Sequence, residues 1–110
     1  MGVRLDKPWR ALTAENVRSL AAELGVYQLG DAEGRVMRIG YAGGRTLFGL
    51  RSELQAALDA GEAASFRTEV TAQYLSRYEE LLMVHKADHG SLPPDNAKNP
   101  PPNLGRLSPS

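Results

Sequence analysis

Residues 25–40 read GVYQLGDAEGRVMRIG, and this stretch decides the fold. Two short runs rich in Val, Ile and Tyr, VYQLG and RVMRIG, flank the segment DAEG. Strand formers on either side of a turn carrying Asp31 and Gly34 predict a β-hairpin. Asp braces turn backbone with its own carboxylate, and Gly accepts the left-handed backbone that tight turns need. Alternation at period two puts Tyr27 and Leu29 on one face of the first strand. In the second, Val36, Arg38 and Gly40 share a face, with Met37 and Ile39 opposite.

Working outward, residues 14–24 (AENVRSLAAEL) predict a helix with Val17, Leu20, Ala21 and Leu24 on one side. Thr13 is placed to cap it, and Glu15 suits its first turn. After the hairpin, YAGGRT leads into a helix over about 47–60, whose apolar stripe is Leu47, Leu50, Leu54, Ala57 and Leu58. Gly61 ends that helix. SFRTEV alternates and predicts a third strand near 65–70. A helix over about 72–88 follows, with Tyr74, Leu75, Tyr78, Leu81, Leu82 and His85 at three- to four-residue spacing. Beyond Gly90 lie six of the seven Pro, so residues 97–110 are expected to form a flexible tail. The expected architecture is an α+β domain over 14–96: a three-stranded sheet flanked by helices in the order α-β-β-α-β-α. Residues 1–13 stand as an N-terminal extension.

Composition narrows the function. At 110 residues and 11.9 kDa the chain has the size of one domain. With no Cys it can have no disulfide, thiolate metal site or thiol nucleophile. No apolar run approaches the 18 or so residues of a membrane span. The start, MGVRLDKPWR, lacks the apolar core of a secretory signal, so a cytoplasmic location is expected. Thirteen basic residues balance thirteen acidic ones, which argues against coating nucleic acid by charge alone. The distribution is uneven, however. Residues 35–51 hold Arg35, Arg38, Arg45 and Arg51 and no acid, a patch suited to an anionic partner. His85 and His89 have the i,i+4 spacing of a metal clamp, but with only Asp88 beside them a solvated helix end is the expectation.

The pattern Gly25-Val26-Tyr27, Arg38-Ile39-Gly40, then a helix carrying Arg51, resembles the GIY-YIG endonuclease family over about residues 20–96. GVYQLGDAEGRVMRIG is similar to the hairpin of that family's repair-enzyme branch, including the length of its turn. The order of the later elements matches, and LPPDN is similar to the family's closing Pro-x-x-Asn region. The resemblance implies a nuclease that acts on nucleic acid, DNA foremost, and hydrolyses phosphodiesters with one Mg²⁺ or Mn²⁺ held mainly by a single Glu on the last helix. A hard cation takes carboxylate oxygen and keeps several waters, so one protein ligand suffices. Carried over by position, Tyr27 matches the first motif's Tyr, Arg51 the helix Arg that meets developing phosphate charge, and Glu79 the metal Glu, with Glu80 as the alternative. Asn96 matches the closing Asn. Arg38 and Arg45 are then expected to contact nucleic acid.

Each of these residues also has an ordinary structural role open to it. Tyr27 can fill a sheet face, Arg51 can rim the core beside Leu50 and Leu54, and Asn96 can shape a turn. The chain also departs from the pattern. Arg38 stands where the second motif has Tyr, and Arg stays protonated, so it cannot act as a base. The loop before Arg51 is longer than usual, which leaves Arg45 competing for its role. Two functions therefore stand: a divergent metal-dependent nuclease, or a catalytically silent module on the same fold that binds nucleic acid or protein. A homodimer or partner protein supplying specificity is consistent with the domain's small size.

Overall fold

The computed structural model describes residues 4–98. Its elements are β1 (Arg10–Ala11), α1 (Ala14–Arg18), β2 (Gly25–Gly30), β3 (Val36–Ala42), α2 (Gly49–Ala60), β4 (Ser65–Val70), α3 (Tyr74–His89) and α4 (Pro94–Lys98). The fold is α+β, and the sheet is antiparallel in the order β1-β4-β2-β3. The expected three strands thus become four, and the expected element order gains β1 at its front and α4 at its end. Two residues are too few to show any periodicity, so β1 exists only through its pairing with Ser65 and Phe66 of β4.

The hairpin forms as its chemistry dictates. Asp31 Oδ1 accepts from the backbone N–H of Glu33 and of Arg35, both at 2.9 Å, and Gly34 takes φ 82°. The ladder slips once: Leu29 pairs with Arg38 but Gly30 with Val36, leaving Met37 as the extra residue of a bulge. Val36 therefore leaves the face of Arg38, contrary to strict alternation, and packs with the cluster around Ile39.

Each sheet face buries its own core. On one side Tyr27, Leu29 and Phe66 pack against Val17, Leu50, Leu54 and Ala57 of α1 and α2. On the other, Val26 and Ile39 pack against Leu81 and Leu82 of α3, with Leu5. Leu54 is fully enclosed, and truncating such a leucine typically costs about 2–5 kcal/mol. Arg77 ties α3 to the sheet, its guanidinium forking onto Glu69 at 2.9 and 3.0 Å.

Two boundaries move for local reasons. α1 stops at Arg18, because the Ser19 hydroxyl turns back to the Asn16 carbonyl at 2.7 Å and competes with helix continuation. Its start is as expected, with Thr13 Oγ1 accepting from Asn16 N at 3.1 Å. α2 starts at Gly49 rather than near 47, so Leu47 lies outside the apolar stripe and is 81% exposed.

The segment expected as an N-terminal extension is, from residue 4 onward, part of the domain. Leu5 is buried, Arg4 grips Asp88 with two bonds of 2.8 Å, and the Arg67 guanidinium lies 4.2 Å from the Trp9 ring centre. Its apolar residues come singly or in pairs between charges, which hides them from any pattern search. Of the expected tail, Ala97 and Lys98 belong to α4, and residues 99–110 lie outside the described residues.

Candidate functional site

β3 is an edge strand, and a cleft of about 940 Å³ folds over its exposed side. Side chains from both sheet faces consequently meet in it. Tyr27, Arg38 and Gly40 come from the face that carries α2, and Tyr41 from the face that carries α3.

The floor begins with Tyr27, which is almost wholly buried. It pairs across the ladder with Gly40, and its ring occupies the space a Cβ at Gly40 would need. The absence of a side chain at position 40 is what lets the ring lie flat over β3. Its hydroxyl donates to Glu53 Oε1 of α2 at 3.3 Å. Burial raises the Tyr27 pKa well above its ordinary value; the Arg38 charge opposes this, and Glu53 adds to it. Tyr27 is thus a neutral hydrogen-bond donor at neutral pH and a poor base.

Arg38 follows on the same face, its Nη1 2.8 Å from Glu62 Oε1. Partial burial pulls its pKa down, but Tyr27, Glu62, Asp95 and Glu53 outweigh that and hold the cation firmly charged. Arg45, on the loop between β3 and α2, is exposed and has no carboxylate partner among the described residues. Lys98 lies 3.5 Å from Asp95 at the other rim.

The opposite wall is aromatic. Tyr41 stacks on Tyr74 with ring centres 5.7 Å apart and 19° between planes, and meets Tyr78 edge-on at 5.0 Å. The Tyr74 hydroxyl accepts from the backbone N–H of Gly44 at 3.2 Å, which holds the glycine loop against α3.

Asn96 closes the cleft. It is buried, with Oδ1 accepting from Ile39 N at 2.7 Å and Nδ2 donating to Ile39 O at 2.9 Å. Its polar atoms are thus engaged with the β3 edge, and its part in the cleft is to position that strand.

Of the residues singled out in the sequence, Tyr27, Arg38, Arg45 and Asn96 come together here. Arg51 does not: its Nε donates to the Leu20 carbonyl at 2.9 Å and ties α2 to the segment that follows α1. Glu79 is half-buried on α3 and does not line the cleft, while Glu80 pairs with Arg77 at 2.7 Å. Among the described residues no three His, Asp or Glu side chains gather as a metal site. Glu79, the single ligand the resemblance implies, thus stands apart from this cleft. Glu53, Glu62 and Asp95 were missed by sequence reasoning, since each sits among ordinary helical or loop acids. The wall left a trace: Tyr74 and Tyr78 share a helix face, and Tyr41 falls on the α3 side of β3.

Comparison with known families matches a family model to residues 3–88. The chain belongs to DUF7508, a domain of unknown function. The DUF7508 match includes the hairpin, Tyr41, Glu53 and all of the aromatic wall, and ends before Asn96. No curated protein matches the chain. No helix among the described residues is long and apolar enough to cross a membrane.

Proposed function

We propose that this chain is a divergent GIY-YIG-like module that binds nucleic acid in the β3 cleft without cutting it. The observation that carries the reading is the meeting of Tyr27, Arg38, Arg45 and Asn96, from three separate segments, in one cleft that Arg51 and Glu79 do not line. Arg38 and Arg45 supply fixed cations for phosphate oxygen.

A nuclease is the second reading, favoured by one feature: Tyr27, Glu53 and Arg38 share the cleft floor. A hydroxyl, a carboxylate and a guanidinium are the residue types phosphodiester hydrolysis uses. Mg²⁺ or Mn²⁺ belongs to that reading.

The two separate in one experiment. Labelled oligonucleotide binding is measured by anisotropy in EDTA, and supercoiled plasmid is incubated with Mg²⁺ or Mn²⁺. Binding in EDTA that weakens in Arg45→Ala, with intact plasmid, supports the binding module. Metal-dependent nicking abolished by Glu53→Gln replaces it with the nuclease. No binding and no nicking would sink both.

A further inference from the structure

The cleft is lined by three cations, Arg38, Arg45 and Lys98, and by three carboxylates, Glu53, Glu62 and Asp95. Two of the cations already have a carboxylate partner within 4.0 Å. Such a balance gives little of the counterion-release affinity by which proteins hold a duplex backbone. What the cleft has in excess is aromatic surface. Tyr41 is 38% exposed on the wall, braced from behind by Tyr74 and Tyr78, and Tyr74 is in turn pinned by the Gly44 amide. Leu75, 52% exposed, continues the same wall. A braced, partly exposed ring in the cleft that Arg45 also lines suits stacking by another flat ring, whatever its sequence. Within a duplex each base face is already covered by its neighbours, so only an unpaired base can use it.

Resting on the nucleic-acid reading above, we infer that the Tyr41–Tyr74 wall receives an unpaired base and that the cleft selects single-stranded nucleic acid over duplex. Tyr41 is the stacking residue, Tyr74 positions it, and Arg45 meets the adjoining phosphate.

The test uses the full chain, a labelled single-stranded deoxyoligonucleotide of about 15 residues, a span one small stacking site can occupy, and the duplex of the same sequence. The single strand is expected to bind at least about tenfold more tightly than the duplex, and Tyr41→Ala to lose about ten- to a hundredfold on the single strand alone. Tyr41→Phe keeps the preference. Replacing thymine by 5-iodouracil and irradiating the wild-type complex is expected to place the adduct on Tyr41 or Tyr74, a readout independent of whether the alanine variant folds. Equal affinity for both forms, with adducts elsewhere, overturns the inference and leaves the nucleic-acid reading standing. Failure to bind either form overturns both.

Discussion

The carboxamide of Asn96 pairs with both backbone groups of Ile39, accepting at 2.7 Å and donating at 2.9 Å, although 57 residues separate them. It does for the edge of β3 what a further strand would do. Asn96→Ala leaves a buried N–H and C=O without partners, each of which costs about 1–3 kcal/mol. A loss of about 2–3 kcal/mol is expected in urea unfolding, with an unchanged m-value. Asn96→Asp is not expected to rescue it, because the second oxygen faces a carbonyl. A loss below about 0.5 kcal/mol would refute the role.

Gly40 is tied to Tyr27 just as closely. A Cβ there overlaps the Tyr27 ring, so Gly40→Ala must push the ring off the strand or the strands apart. Overpacking of this kind costs about 1–3 kcal/mol. The variant is expected to melt lower and to bind oligonucleotide less tightly, whereas Gly44→Ala, with no atom nearer than 3.9 Å, changes its melting little.

Glu62 holds Arg38 at 2.8 Å on a half-exposed surface, so the pair itself adds little to stability. Glu62→Gln releases the guanidinium toward the cleft. Oligonucleotide affinity is expected to rise several-fold and the slope of log K against log salt to steepen by up to about one phosphate contact. Arg38→Ala is expected to move both in the opposite direction, as titration of binding against salt will show.

His85 links the fold to pH. Burial lowers its pKa and the neighbouring His89 charge adds to this, while the Ser91 carbonyl and Asp88 oppose. The unfolded chain, with an ordinary His pKa of about 6.5, therefore takes up the proton first. The stabilisation is fully present above about pH 6.5 and is lost as pH falls through the lower folded value. Denaturation midpoints are expected to fall with acidification in that window, and His85→Gln to flatten the slope there.

Much of this architecture was legible. The hairpin, the strand SFRTEV and the long helix follow from alternation, three-to-four spacing and the chemistry of Asp31, Gly34 and Gly61. These signals are local. Three features were not legible because they are long-range. β1 is defined only by its partners in β4. The bulge at Met37 arises from ladder register and moves Val36 to the other face. Arg51, adjacent to core leucines in sequence, finds its partner in a carbonyl 31 residues away. At the site, the hairpin motif led to Tyr27 and Arg38, but nothing local marks Glu53, Glu62 or Asp95 as cleft carboxylates.

The even match of three cations to three carboxylates in the cleft bears on kinetics as well as affinity. A partner drifting toward β3 would meet no net field from these side chains, so capture is expected at the unsteered rates of about 10⁵–10⁶ M⁻¹s⁻¹, little altered by ionic strength. On the stacking proposal, differences between one ligand and another are then expected to reside in how long each stays, through the fit of flat rings against Tyr41, rather than in the speed of arrival.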